Sequence, residues 1–145
     1  MDKITMRLFR GQEGEGELVD YQVELDEGMV LLDCIHQIQH QQDAEIACRW
    51  NCKAGKCGSC SAEINGKPLL MCMTRMSDII AETPEDEVIT VRPMRTFPHI
   101  KDLVCDVSWN YEIAKAVTPI KGPDEPEWQS SPFEAERGHE FRVCA

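Results

Sequence analysis

Four closely spaced cysteines constrain this 145-residue chain more than any other feature of its sequence. Cys57 follows Cys52 after four residues, Cys60 follows after two more, and Cys72 comes eleven residues later. This C-x4-C-x2-C…C pattern is the spacing of a plant-type [2Fe–2S] site. Because four crowded thiolates repel one another unless a metal centre neutralises them, we expect these four side chains to ligate a [2Fe–2S] cluster.

The loop between the first three cysteines contains Gly55 and Gly58. Glycine adopts positive φ at little cost, so the backbone can curl tightly there and turn its N–H groups toward sulfur. These two positions fit a loop that wraps around a small inorganic core.

A β-hairpin is predicted to bring the fourth cysteine back to the other three. The stretch SAEINGKPLLMC has an Asn-Gly pair between two strand-like runs, which is a strong hairpin signal. If Asn65 and Gly66 form the turn, Cys60 faces Met71. Cys72 is then one step from the position opposite Cys60, within reach of a shared iron. A turn lengthened by the following proline would move the pairing by only a residue or two.

Structural zinc and a disulfide framework are the other common uses of four cysteines. Zinc sites usually present two short knuckles, whereas here only Cys57 and Cys60 form one. Disulfide frameworks suit small secreted proteins, but the first residues, MDKITMRLFRGQ, alternate like a strand and do not resemble a targeting peptide. The iron–sulfur interpretation is therefore favoured over both.

The charge of the chain is uneven. A net charge of −11 argues against nucleic acid as a partner. Around the cysteines the sign is reversed, because segment 48–75 has one acidic residue, Glu63, and five basic ones: Arg49, Lys53, Lys56, Lys67 and Arg75. Positive charge near an anionic cluster would favour its reduced form and raise its potential. A solvated basic rim is the alternative interpretation.

The hydrophobic pattern predicts an α+β fold. Alternating residues predict strands over 4–10, 18–26 and 88–92, and an i, i+3, i+4, i+7 pattern predicts a helix over 29–41. The order strand, strand, helix, cysteine loop, hairpin, strand is that of a β-grasp, plant-type ferredoxin-like domain, with one helix packed on a small mixed sheet. A C-terminal helix and an extended arm complete the expected architecture.

Three segments follow from these patterns: a [2Fe–2S] β-grasp domain over 1–98, a connecting helix over 99–117, and a proline-rich arm over 118–145. The connecting helix is predicted from apolar residues at helical spacing between Pro98 and Pro119. These residues are Ile100, Leu103, Val104, Val107 and Tyr111. Elsewhere too, no apolar run reaches the roughly 18 residues that a membrane span needs.

Four further cysteines lie outside the motif. Cys34 falls on the apolar stripe of the predicted helix and is expected to be a small core residue. Cys48 is interpreted as a bystander thiol because Cys52 fits the ligand spacing better. Neither Cys105 nor Cys144 has an assigned role. Cysteine-rich chains without a secretory signal are typical of a reducing, cytosolic compartment.

Two stretches of this chain resemble the iron–sulfur subunits of succinate dehydrogenases and fumarate reductases. They are RWNCKAGKCGSCSAEINGKPLLMCMTRM and VRPMRTFPHIKDLVCDVSWNY, and the resemblance extends over nearly the whole chain. It implies a β-grasp domain that holds [2Fe–2S], followed by a helical domain that holds [4Fe–4S] and [3Fe–4S]. It also implies the ligands Cys52, Cys57, Cys60 and Cys72. Some relatives have Asp at the third position, where this chain has Cys60.

The same resemblance implies the protein's partners. Electrons would pass from an FAD-containing flavoprotein subunit, or back to it in the fumarate direction, through the clusters to a quinone at a membrane-anchor subunit. The subunit would not be catalytic alone. It would lie on the cytoplasmic face of the inner or plasma membrane as a peripheral part of a complex.

The end of the chain departs from the family pattern. GHEFRVC is similar to the approach to the family's C-x2-C-x2-C-x3-C-P motif, in which Cys144 would be the first cysteine, but the other ligands are not in this sequence. We expect either a fragment or a split subunit. Two alternatives stay open: a free-standing ferredoxin-like carrier, and a structural zinc module. No GxGxxG motif supports a dinucleotide site.

Overall fold

The computed structural model describes residues 2–117, which form seven strands and three helices. The chain divides into two compact units, Met1–Trp109 and Asn110–Ala145, and the account below concerns the described part of the first. The arm predicted over 118–145, with Cys144, lies outside the described residues. The elements are β1 Asp2–Gln12, β2 Glu15–Leu25, α1 Leu31–Gln41, β3 Ser61–Ile64, β4 Lys67–Leu70, α2 Met76–Glu82, β5 Ile89–Arg92, β6 His99–Lys101, β7 Val104–Cys105 and α3 Ser108–Ala116.

The first two strands form a long antiparallel hairpin. They pair from Asp2 opposite Leu25 to Gln12 opposite Glu15, so the ladder extends beyond the strands predicted over 4–10 and 18–26. The turn itself is only Glu13 and Gly14, both with positive φ. Backbone pairing does not need apolar side chains, which is why the hydrophobic alternation marked only the middle of each strand.

The sheet is mixed, as predicted. Strand β1 runs parallel to β5, β5 pairs antiparallel with β3, and β3 pairs antiparallel with β4. Helix α1 packs on this sheet through its apolar stripe, including Cys34, which is fully buried. The architecture is the predicted α+β, ferredoxin-like β-grasp. The fully buried side chains at its centre include Met6, Leu8, Val23, Leu31, Ile35, Ile38, Ile64 and Val91.

Gln37 of α1 and Gln42, which directly follows the helix, cover the outer edge of β2. Gln37 accepts a hydrogen bond from the N–H of Glu24 (2.8 Å) and donates one to its carbonyl (3.1 Å). Gln42 makes the same pair of bonds with Gln22, at 3.3 Å and 2.6 Å. The amide side chains thus take the place of a neighbouring strand and protect the edge from pairing with another chain.

The helix predicted over the start of segment 99–117 is wrong. Residues 99–105 form the β6–β7 hairpin, and β6 joins β1 where Lys101 lies opposite Gln12. Helix α3 begins only at Ser108. Ile100, Leu103 and Val104 fit helical spacing by coincidence, because the backbone of this segment takes its hydrogen bonds from the sheet and from residues before the cysteine loop.

Candidate functional site

The cysteine loop lies between α1 and β3, and its backbone N–H groups point at sulfur. The Sγ of Cys52 accepts hydrogen bonds from the N–H groups of Ala54 (3.4 Å), Lys56 (3.3 Å) and Cys57 (3.4 Å). The Sγ of Cys57 accepts one from the N–H of Ser59 (3.5 Å). Such bonds stabilise the thiolate form, which is the form that binds metal.

Glycine permits this curled backbone at two positions. Gly55 has φ +67° and Gly58 has φ +73°, in the region where a side chain is strained. A Cβ on Gly55 would also lie 3.0 Å from Cγ of Met73, whereas one on Gly58 would meet nothing within 4 Å. The sequence-based role of both glycines agrees with this geometry.

The hairpin β3–β4 brings the fourth cysteine to the third. Its register places Ile64 opposite Lys67, which makes Asn65-Gly66 the two-residue turn. The N–H of Met71 donates to the carbonyl of Cys60 (3.1 Å), and the N–H of Cys72 donates to the Sγ of Cys60 (3.5 Å). The predicted register is therefore confirmed.

The four predicted ligands fall into two neighbouring pairs, Cys52 with Cys57 and Cys60 with Cys72. The second pair is buried, with Cys60 3% and Cys72 7% exposed, whereas Cys57 is exposed. Burial raises the pKa of the Cys60 thiol, and the nearby thiols of Cys72 and Cys57 add to the rise. Hydrogen bonding from Ser59 and Cys52 lowers the pKa of Cys57 to about 6.

This donor set suits a binuclear centre. Within residues 2–117, no three His, Cys, Asp or Glu side chains are grouped so that they could hold one metal ion. Two adjacent thiol pairs match the donors that a [2Fe–2S] centre takes, since four cysteines serve its two irons. The soft thiolate donors and the inward N–H groups both fit such a cluster.

The other described cysteines have surroundings that differ from these four. Burial raises the pKa of Cys34 to about 12 and that of Cys48 to about 12. Cys48 is also close enough to Cys60 for that thiol's charge to add to its rise. Cys105 is buried, and its thiol donates to the carbonyl of Met94 (3.5 Å). Cys34 thus lies in the core, as its place on the apolar stripe of α1 predicts.

An aromatic and basic group flanks the loop, and sequence analysis missed it. The ring of His36 on α1 meets the Trp50 ring edge-on, with centroids 5.1 Å apart. The Nζ of Lys53 lies 4.8 Å from the Trp50 ring centroid, in a cation–π contact. His36 is therefore half-buried, whereas His40, about one helical turn further along α1, is exposed. Only the position of Trp50, two residues before the predicted ligand Cys52, could have suggested this contact.

Residues outside segment 48–75 pair with two of the charged side chains inside it. Lys67 pairs with Glu82 at 3.0 Å, whereas Glu63 accepts hydrogen bonds from the N–H (3.0 Å) and Nε (2.7 Å) of Arg95. The cations in the cysteine loop itself are exposed and lie on either side of Cys52: Arg49, Lys53 and Lys56.

None of the helices within residues 2–117 has the length and apolar character needed to cross a membrane.

Comparison with known proteins identifies the kind of domain. Residues 4–112 match the family model described as a 2Fe-2S iron-sulfur cluster binding domain. The chain is 33% identical over 153 residues to a fumarate reductase iron-sulfur subunit of Mycobacterium tuberculosis (strain CDC 1551 / Oshkosh), an alignment that covers 99% of this chain and 60% of that protein. It is 35% identical over 111 residues to the mitochondrial succinate dehydrogenase [ubiquinone] iron-sulfur subunit 1 of Oryza sativa subsp. japonica, covering 75% and 37% respectively.

A solved structure is also similar to this chain. A chain of the Mycobacterium smegmatis Sdh1 complex in the apo form has a TM-score of 0.76 and 51% sequence identity, covering 98% of this chain and 59% of that one. The chain thus spans about 60% or less of the length of these relatives. Because the family model covers most of the sequence and the thiol pairs suit its cofactor, the chain belongs to the family of 2Fe-2S iron-sulfur cluster binding domains.

Proposed function

We propose that this chain is the [2Fe–2S] electron-transfer part of an iron–sulfur subunit of a succinate:quinone or quinol:fumarate oxidoreductase. The observation that carries the proposal is the pairing of four thiols on a loop whose N–H groups point at sulfur. The similarity to fumarate reductase and succinate dehydrogenase subunits supports the choice of complex. When bound, the cluster takes up and releases one electron at a time.

In this proposal Cys52, Cys57, Cys60 and Cys72 are the ligands. The exposed Cys57 has a pKa of about 6, so its thiolate is available to metal at neutral pH. The buried Cys60 gives up its proton less readily, and its ligation depends on the positive charge of iron. The N–H groups that reach Cys52 remain as donors to the ligated sulfur and favour the more negative, reduced state.

The partners follow from the same proposal. An FAD-containing flavoprotein subunit exchanges electrons with this domain, and a membrane-anchor subunit binds the quinone. We place the domain peripherally, on the cytoplasmic face of the inner or plasma membrane. The cluster domain includes the β6–β7 hairpin, which pairs with β1. The [4Fe–4S] and [3Fe–4S] clusters of such a subunit take their ligands from outside this sequence.

The ligand assignment is tested by a panel of Cys→Ser variants of the full chain, reconstituted anaerobically with iron and sulfide. We expect substitution of Cys52, Cys57, Cys60 or Cys72 to abolish or strongly reduce the visible absorption of the cluster. Cys34→Ser and Cys48→Ser are the matched controls, because both thiols have a pKa of about 12 and are not ligands in this proposal. A control substitution that removes the cluster while a ligand substitution leaves it intact would overturn the assignment.

Electron transfer is tested with a flavoprotein. The loaded chain is mixed anaerobically with the flavoprotein subunit of a succinate dehydrogenase or fumarate reductase, and bleaching of the cluster is followed by stopped flow after succinate is added. Rapid reduction within a complex that survives gel filtration is expected. Reduction only by a small chemical reductant, with no complex, would contradict the subunit proposal and favour a free-standing ferredoxin-like carrier.

A further inference from the structure

The β6–β7 hairpin is tied to the start of the cysteine loop at three points. The N–H of Leu103 donates to the carbonyl of Ala47 (3.2 Å), and the N–H of Ala47 donates to Oδ2 of Asp102 (2.8 Å). Farther along the loop, Nη1 of Arg49 donates to the carbonyl of Cys105 (3.2 Å). Both residues held by the hairpin precede Cys52 by only a few positions.

Asp102 is the centre of these ties and is itself fixed to the sheet. It is 1% exposed, its Oδ1 accepts from the N–H of Gly11 (3.0 Å), and its own N–H donates to the Gly11 carbonyl (2.7 Å). Its Oδ2 accepts from Nη1 of Arg10 (3.1 Å) as well as from Ala47. A buried carboxylate that accepts only N–H groups forms charge-assisted bonds, and its loss would leave several buried donors unpaired.

Arg10 also holds the far end of the short segment, residues 43–47, that leads from α1 to the cysteine loop. Its Nη2 lies 3.1 Å from Oδ2 of Asp43, just after α1, while its Nη1 bonds Asp102. Tyr21 also donates to Asp43 (2.9 Å). The approach segment, residues 43–47, is therefore held to β1 at both ends, with Asp43 at one and Ala47 at the other.

We propose that Asp102 is a positioning residue for the cluster: by fixing Ala47 against β1, it sets where the cysteine loop begins and so where Cys52 meets iron. The inference rests on the proposed function. It also assigns the β6–β7 hairpin to the cluster site rather than to a connector. Asp102 touches neither the ligands nor the reacting atoms, and it acts through Ala47 and the residues that follow.

Asp102→Asn is the sharpest test because the shape and the backbone are preserved. Asp102 has φ +48°, a conformation that asparagine also tolerates. The side-chain amide group of the variant must turn its nitrogen toward either the N–H of Gly11 or the donors of Ala47 and Arg10. In each orientation, at least one N–H group therefore faces another donor and loses its hydrogen bond. The ion pair with Arg10 is lost in both orientations.

The experiment uses the full chain loaded with its cluster. For Asp102→Asn we expect cluster loss to a ferric chelator about tenfold faster than in the unaltered chain, as one lost charge-assisted bond implies. We also expect a changed EPR line shape of the reduced cluster. Gln37→Ala is the matched control, since both hydrogen bonds of that side chain go to Glu24 and lie on the β2 edge. It should lower thermal stability while leaving the EPR spectrum and the loss rate per folded molecule unchanged.

A second variant keeps the test decisive if Asp102→Asn fails to fold. Arg49→Met retains an unbranched, flexible side chain but removes the guanidinium and its bond to Cys105, and at high ionic strength the missing charge itself matters little. Faster cluster loss and an altered spectrum are again expected. If every variant that folds and takes up the cluster has the EPR spectrum and the cluster-loss rate of the unaltered chain, the positioning role alone is refuted. An unaltered chain that takes up no [2Fe–2S] cluster refutes the proposed function.

Discussion

The cysteines of the apoprotein should differ in reactivity by orders of magnitude, and Cys57 should react first. Its pKa of about 6 makes it roughly 90% thiolate at pH 7, whereas Cys48, with a pKa of about 12, is ionised to about one part in 10⁵. Nucleophilicity falls with pKa, with a Brønsted coefficient of about 0.4–0.5, and offsets part of this difference. The expected rate ratio with a small disulfide reagent is therefore about 100- to 400-fold before burial is considered.

The assay is a timed reaction of the reduced apoprotein with an aromatic disulfide, stopped with acid and mapped by mass spectrometry. Modification of Cys57 should be half-maximal near pH 6, because the thiolate is present above that pH and lost below it. Ser59→Ala should move this midpoint upward, since hydrogen bonding from Ser59 is the largest cause of the low pKa. In the loaded protein Cys57 should be protected.

Equal rates for Cys57 and Cys48 would refute this reasoning. So would a Cys57 midpoint near pH 9, the ordinary value for a thiol. Either outcome would mean that the N–H and hydroxyl groups of the loop do not organise around sulfur before the cluster is bound.

Three further predictions follow from the geometry. Lys56→Gln should lower the cluster's reduction potential by about 20 mV, the effect of one charge roughly 10 Å away in water, and added salt should shrink the shift. Gly58→Ala should destabilise the loop by about 1–2 kcal/mol because of its positive φ. Gly55→Ala should destabilise it more, because the added Cβ also meets Met73. The rate of cluster loss to a chelator measures both effects. Burial and a hydrogen bond to Asp43 raise the pKa of Tyr21 to about 12, so apoprotein stability should fall as pH rises from about 10 to 12; urea unfolding should find no such fall in Tyr21→Phe.

Local sequence signals predicted the part of the site that is built locally. The spacing of the cysteines, the two loop glycines and the Asn-Gly turn each depend on residues a few positions apart. The register of β3 and β4 then follows from the turn, which is why the approach of Cys72 to Cys60 could be predicted without a structure. The ligand roles themselves remain predictions until the variants are made.

The rest of the site depends on contacts between distant parts of the chain. Asp102 looks like an ordinary polar residue in sequence, but it is buried because its carboxylate meets donors from β1 and from Ala47. The pairing of β6 with β1 likewise overrides the helical spacing of Ile100 and Leu103. The contact between Trp50 and His36 joins the loop to α1, and no local pattern encodes it.

Iron, sulfide and EPR analysis of the anaerobically purified full chain tests the central claim most directly. The account predicts two irons and two sulfides per chain, with a spin-half signal that appears only on reduction by dithionite. Zinc in place of iron, with no chromophore after attempted reconstitution, would contradict the electron-transfer function and leave a structural metal site.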